Sequence, residues 1–398
     1  MRRLRILQIF NRYIHYGGEE ASVFRIGDAL QANHDVEYFF GSTQEFLGGG
    51  LHRISAPLRA FYDPHVATKL RRYQEVGRFD LWQIHNVLPG LSPSVYQMAF
   101  QLKIPIVHFL HNYRFGCVNG LFLNHGQPCQ RCLRGNFWPA FQTACWRESH
   151  LVSGWQALIL LYLRHLRIFR KVSRWIALSE SQKALHLQIG LPEAQISVVP
   201  HFYEPQEPPP PFSPRGPALF LSRLSREKGG QELLRAWTAV TAGPRELWIG
   251  GTGPEEALLR EQSPSSPKVR FLGFLDAAGK NQAWAESSFA VIPSIVPETF
   301  GMIVLEAWAR QRPVVGFRIG ALAETVDHGV NGLLVEPGNI PALAKAMEEM
   351  FANPERSQKM GKAGWDKLQS VFTKAGWLSR IDKIYQSLDL RREPEHTS

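Results

Sequence analysis

Cysteine is scarce in this chain: there are four among 398 residues, all between positions 117 and 145. That excludes a small disulfide-stapled scaffold. Long apolar runs are also missing. No window reaches the ~20 uninterrupted apolar residues of a membrane span, and the nearest approach, Ala157 to Leu163, runs into Arg164, Arg167, Arg170, Lys171 and Arg174. The start has Arg2, Arg3 and Arg5 but only a short apolar stretch, with no small-residue cleavage site after it. It reads as a first β-strand, so a cytoplasmic location is expected. A composition of 44% hydrophobic and 20% charged excludes disorder and collagen, and there is no long internal repeat.

Acidic residues are short in one half only. Residues 1–200 carry a net charge of +10 and the rest carry none, and no acidic residue stands between Glu148 and Glu180. Such asymmetry argues for an anionic partner of the first half: a phosphorylated substrate, an anionic lipid surface or a nucleic acid. For the segment around 157–174, a basic amphipathic helix lying on an anionic bilayer and a core helix with a solvated basic face both fit.

The length allows two to three domains. Residues 205–217 contain seven prolines, too little backbone freedom for a helix or a central strand, and read as a linker. Before it lie short apolar runs at Arg5–Phe10, Val36–Phe40, Leu81–Ile84, Ile104–Leu110, Trp175–Leu178 and Ile196–Val199. After it lie Ala218–Leu221, Glu246–Ile249, Val269–Leu272, Phe289–Ile292, Val314–Phe317 and Leu333–Val335. Helical stretches alternate with them on both sides, which predicts an α/β chain of two Rossmann-like, doubly wound domains facing across a cleft. The expected division is 1–204, linker 205–217, 218–375, and a terminal helix and tail at 376–398 that packs back on the first domain. The last eight residues are expected to fray.

The segment Pro293 to Ala307 follows an apolar strand, passes through a Pro-bounded loop and opens a helix near Gly301. Free amides at Thr299, Phe300, Gly301 and Met302 suit an anion or sugar hydroxyls. Glu298 stands at the mouth and Glu306 one to two turns inside, so the two have separate tasks. The plainer reading makes both carboxylates helix caps.

This pattern resembles glycosyltransferase family 4, retaining nucleotide-sugar transferases of GT-B fold, which carry two glutamates eight apart around Phe-Gly. The likeness extends through Arg312 to Gly316, Gly320, Glu324 and Asn331 to Gly338. It also takes in Ser222 to Gly229 and the Gly250-Gly251-Thr252-Gly253-Pro254 turn. The resemblance implies that Arg223 and Lys228 grip the donor diphosphate, a task suited to a guanidinium fork and an ammonium point charge. It implies that Gly253 belongs to the donor site, that Glu306 accepts from the ribose hydroxyls, and that Glu298 lies by the transferred sugar. In the first half Gly17 and Gly18, in the turn Tyr16 to Glu20, would lie near the donor phosphates. His111 would stand at a strand end beside the reacting sugar. His85 ends another strand in the same His-Asn pair and is equally readable as structural.

Cys117, Cys129, Cys132 and Cys145 suit a structural four-thiolate zinc site, with buried free thiols or a redox pair as the alternatives. Their loop is expected to overhang the acceptor side. The function implied is transfer of a sugar from a nucleoside-diphosphate donor to a hydroxyl acceptor, a glycan or polyprenyl-linked precursor, without a metal in the chemistry. Association with the inner face of the plasma membrane is a further expectation. An NAD-dependent oxidoreductase is disfavoured, since Gly251-Thr252-Gly253 lacks the third glycine and the acidic ribose partner. A nucleic-acid-binding zinc protein is disfavoured too, with no His pair and no aromatic interleaving, so no nucleic acid is expected as partner.

Overall fold

Each of the twelve apolar runs forms a strand of one of two six-stranded sheets. The first sheet is built from β1 (Arg5–Arg12), β2 (Asp35–Ser42), β3 (Leu81–Asn86), β4 (Ile106–Phe109), β7 (Arg174–Ala177) and β8 (Ile196–Val198). The second holds β9 (Ala218–Leu221), β10 (Leu247–Gly250), β11 (Val269–Gly273), β12 (Phe289–Ile292), β13 (Val314–Phe317) and β14 (Gly332–Val335). The computed structural model describes residues 2–13, 17–46, 56–241, 245–263, 269–388 and 390; Tyr16 and the expected frayed tail lie outside them. Neighbouring strands in both sheets pair in parallel. Parallel strands are covered on both faces, which explains continuous rather than alternating apolar runs: every residue of β3 is buried.

The strand orders place the crevices. The first sheet runs β2-β1-β3-β4-β7-β8 and the second β11-β10-β9-β12-β13-β14, so the winding reverses between β1 and β3 and again between β9 and β12. Loops leaving the carboxyl ends at a reversal diverge and leave a groove. In the first sheet Tyr13 and Asn86 meet there, with the Asn86 amide donating to the Tyr13 hydroxyl. In the second, Gly229 lies against Pro293. Its φ of 74° and its closeness to the Pro293 carbonyl, 1.8 Å from where a Cβ would stand, leave no room for any other residue.

Residues 205–217 hold no helix or strand. Their second part is tied to the second sheet by Arg312, wholly buried, which donates to the carbonyls of Trp284, Ala285, Ser287, Arg310 and Pro211. The chain then closes on itself. After helix Pro354–Val371, helix Lys374–Gln386 returns to the first sheet: His34 Nε2 bonds Asp382 Oδ1 at 2.9 Å, the Tyr385 hydroxyl donates to Gln83 Oε1, and Trp377 packs near Phe109.

The cysteine loop contains an element without an apolar-run signal, the two-residue hairpin β5 (Leu123–Asn124) and β6 (Gln127–Pro128). Its turn places His125 and Gly126 at φ 45° and 76°, and Gly126 lies against the Arg226 side chain of the second half.

Candidate active site

Around the β9/β12 crevice, Glu298 Oε1 accepts from Lys228 Nζ at 2.7 Å and from Ser294 Oγ at 2.6 Å. Burial pushes this carboxyl up, but the ammonium and the hydroxyl outweigh burial and hold it below the usual carboxylate range. Lys228 is raised in turn: burial acts downward and the Glu298 charge overcomes it. Gly320, at φ 55°, abuts the Glu298 backbone and Ala321 N donates to Glu298 O at 3.0 Å, so the loop carrying the carboxylate is braced from behind.

The other predicted groups of this half divide in two. Arg223 is exposed, and its guanidinium makes no bond among the described residues. The Glu306 carboxylate likewise has no hydrogen-bond partner there; burial pushes it up against the pull of Lys280, Arg25 and Arg310. Among the described residues the amides of Thr299, Phe300, Gly301 and Met302 donate to no backbone acceptor, and Gly301, φ 83°, caps the short helix Met302–Trp308. Phe300 and Gly253 have packing roles that the sequence did not reveal. The Phe300 ring is buried edge-on to His201 and Phe372. Gly253 is pressed against the Leu224 backbone, its built Cβ 2.3 Å from that carbonyl.

Across the crevice, His111 Nε2 lies 2.8 Å from His85 Nδ1, with the rings stacked at 5.1 Å. Burial depresses His111 to about 4 and keeps it neutral. Thr299 joins the two halves here: its hydroxyl donates to the His111 carbonyl at 3.4 Å and its carbonyl accepts from Ser179 Oγ at 3.1 Å. Gly17 and Gly18 face open space, with nothing within 4 Å of where a Cβ would stand.

Several residues of this neighbourhood were given no role by the sequence. Glu19 opens helix Gly18–Leu30 and accepts from the Tyr13 hydroxyl at 3.3 Å; burial pushes its carboxyl up to about 7. Arg114 lies over the Tyr13 ring, 5.6 Å from its centre. Glu324 takes the Glu180 and Ser181 amides at 2.8 and 2.5 Å, so a carboxylate of the second half seats on the N-terminus of helix Glu180–Ile189 in the first. The resemblance that takes in Glu324 names no partner for it, and nothing in the sequence ties this short-helix carboxylate to an amide 144 positions away.

The zinc expectation is not supported. All four cysteines are free, and among the described residues no group of three or more His, Cys, Asp or Glu is arranged to hold a metal ion. The reason is Asn119. Its Oδ1 accepts from Cys117 Sγ at 3.1 Å and its Nδ2 donates to Cys145 Sγ at 3.4 Å, so a carboxamide stands between thiols that a metal would draw together. Cys129 Sγ accepts instead from Arg131 at 3.5 Å. Burial pushes Cys132 up to about 11, with the nearby Cys117 and Cys129 acting in the same direction.

Helix His150–His165, capped by Ser149, buries Ile159, Leu160 and Leu163 and turns Leu151, Trp155, Leu158 and Leu161 outward, Leu151 being 83% exposed. Its outward face is therefore apolar, not basic, with Arg147 before it and Arg167, Arg170 and Lys171 after it. No helix among the described residues is long and apolar enough to cross a membrane.

Two doubly wound parallel sheets with facing crevices define a GT-B glycosyltransferase architecture. The comparisons agree: the family model "Glycosyltransferase Family 4" matches residues 16–207 and "Glycosyl transferases group 1" matches 216–353. The chain belongs to the GT-B glycosyltransferases of family 4 type. It is 32% identical over 173 residues to glycogen synthase of Mycobacterium tuberculosis, covering 41% of this chain and 42% of that one. To the D-inositol 3-phosphate glycosyltransferase of an Arthrobacter species it is 24% identical, covering 80% of this chain and 75% of the relative. The matches to the first curated relatives span less than half of their length. Among solved structures, Anabaena HepE in complex with UDP and glucose superposes with a TM-score of 0.70 at 19% identity, covering 97% of this chain and all of that one. Sucrose-phosphate synthase from Thermosynechococcus elongatus gives 0.71 at 20%, with 96% and 98% covered.

Proposed function

We propose that the protein is a retaining glycosyltransferase that moves a sugar from a nucleoside-diphosphate donor to a hydroxyl acceptor on a lipid-linked or cell-surface glycan precursor. The observation that carries this reading is the second-half crevice itself. It holds one carboxylate fixed by an ammonium, Glu298 with Lys228, and the same half leaves the Arg223 guanidinium and the Glu306 carboxylate without a hydrogen-bond partner, and the amides of Thr299 to Met302 without a backbone acceptor, among the described residues. Arg223 and Lys228 receive the diphosphate, and Glu306 receives the ribose hydroxyls. Gly17 and Gly18 leave backbone room for the phosphates from the other side.

In the reaction the bond from the anomeric carbon to the phosphate oxygen breaks while the acceptor hydroxyl attacks the same face. The acceptor proton passes to the leaving phosphate, and Glu298, with Lys228 behind it, stabilises the positive charge that develops at the anomeric carbon. The two cations supply the charge that the leaving diphosphate needs, so turnover in EDTA should equal turnover without it. Closure of the halves over the donor excludes water. The protein acts in the cytoplasm, and the apolar row Leu151, Trp155 and Leu158, flanked by arginines, rests on an anionic bilayer. Flotation with anionic vesicles tests that contact; absence of binding defeats it.

Calorimetric titration of UDP, GDP, ADP and NAD tests the main reading. UDP comes first because HepE was solved with UDP. One nucleoside diphosphate should bind, and Glu306→Ala should weaken it about tenfold or more. Binding of NAD alone, or of none of the four, would overturn the reading.

A further inference from the structure

The histidine that faces the crevice does not stand alone. His85 is 2% exposed, its ring against both Phe109 at 5.2 Å and His111 at 5.1 Å. Its two nitrogens have different neighbours. Nδ1 lies 2.8 Å from His111 Nε2, and Nε2 lies 2.8 Å from Gln8 Oε1, in the wholly buried middle of β1. Gln83 Nε2 stands further off, at 3.3 Å, its own Oε1 taken by the Tyr385 hydroxyl of the terminal helix.

A carboxamide oxygen only accepts and an amide nitrogen only donates, so Gln8 Oε1 at 2.8 Å and Gln83 Nε2 at 3.3 Å make opposite demands on His85 Nε2; the shorter contact, to Gln8, places the proton there. A neutral imidazole carries one proton, which leaves His85 Nδ1 bare, able only to accept from His111 Nε2–H. His111 Nδ1 is then bare as well, and it makes no hydrogen bond among the described residues. We propose that His85, oriented by Gln8, is a positioning residue that locks His111 as the Nε2–H tautomer, so that His111 presents an acceptor nitrogen to a substrate hydroxyl. The inference rests on the reading that His111 lies at the reacting sugar. It adds the chemistry of the contact: the group recognised is a hydroxyl that donates. The arrangement follows the general logic by which a second group sets which imidazole nitrogen is protonated.

The test separates the lock from the substrate contact. Long-range proton–nitrogen NMR of the imidazoles reads tautomers directly, with the His111 signals assigned by their loss in His111→Gln. The wild-type ring should be Nε2–H. His85→Phe keeps a stacked ring and removes the acceptor, so His111 should become a mixture of tautomers. His85→Asn, whose carbonyl oxygen can take the place of Nδ1, should restore a single form. In kinetics His85→Phe should lower kcat about tenfold with donor KM unchanged within about twofold, and His85→Asn should recover most of the loss. If His85→Phe does not fold, Gln8→Leu carries the same test, since it removes the oxygen that fixes the His85 proton. An Nδ1–H form of His111 in the wild type, or an unchanged His111 spectrum in these variants, overturns the proposal. A tautomer that follows His85 while His111→Ala turns over normally would instead overturn the substrate role of His111 and leave the coupling of the rings intact.

Discussion

The two halves build their sides of the crevice from opposite materials. The second half uses ions: Glu298 with Lys228, Arg226 and Arg235 on Glu232, and an Arg223 with no ion-pair partner among the described residues. The first half, apart from Glu19 and Arg114 around Tyr13, uses neutral rings. His85, His108, His111, His186 and His201 are all pulled down by burial, and they stack in contact with one another or with Phe109, Tyr113 and Trp175. The excess positive charge of the first half lies on arginines and lysines, not on these imidazoles. The first-half side of the crevice thus rests on hydrogen-bond donors and acceptors, while the opposing half holds fixed charges.

Removing the central charge is the sharpest way to break that comparison. Glu298→Gln keeps an oxygen for Lys228 and Ser294 but loses the negative charge, and kcat should fall roughly 10²- to 10³-fold with little change in nucleotide affinity. Steady-state kinetics and calorimetry check the two together. A loss confined to donor KM would make Glu298 a binding residue rather than a stabiliser of the transition state.

Acid should separate the halves by stability. His108 and His186 have folded values of about 3 and 4, below the ordinary 6.5. As pH falls from 6.5 to 5 the unfolded chain takes up protons that these native rings refuse. Stability present above 6.5 is therefore lost on the way down, by about 2 kcal/mol for each ring. Glu298 behaves differently: its lowered carboxyl keeps its contribution until the pH drops through that lowered value. Hydrogen exchange at pH 7.5 and 5 should show the β4 and 180–189 amides losing protection while β12 and β13 keep theirs. Equal loss in both sheets would erase the distinction.

The same contrast decides what could be read without coordinates. The twelve strands were legible because a parallel strand covered on both faces is a bare apolar run. Ser222 to Gly229 and Pro293 to Ala307 were legible because a crevice in one sheet is made by short contiguous loops. The first-half site draws single residues from several strand ends. Gln8 looks like any polar residue in a strand, and nothing in its neighbours announces the ring it faces across the sheet. His85 repeats the His-Asn ending of His111, but its bond to Gln8 depends on register, β1 on β3. The cysteine spacing was legible and misleading, because Asn119 two positions after Cys117 gave no sign that its amide separates the thiols.

The ion pair itself can be tested for what it stabilises. Lys228→Met leaves Glu298, whose side chain is 14% exposed, without its cation, and should cost on the order of 2 kcal/mol in urea unfolding. Pairing it with Glu298→Gln should restore most of that, because the loss comes from an uncompensated carboxylate and not from missing packing. If the double variant is no more stable than Lys228→Met, the pair is not the brace of the second-half site.

The smallest effect concerns a place where a carboxylate of the ionic half reaches into the neutral one. Glu324 accepts from the Glu180 and Ser181 amides at the start of helix Glu180–Ile189, and Ser179, the residue before it, bonds Thr299. A carboxylate on a helix N-terminus at the surface is worth about 1 kcal/mol or less. Glu324→Ala should therefore leave global unfolding almost unchanged while the Glu180 and Ser181 amides exchange up to about fivefold faster. Because the seat joins the halves, nucleotide binding should restore part of that protection if the halves close over the donor. Protection that returns fully without nucleotide would mean that the helix caps itself and that Glu324 does not join the two sides.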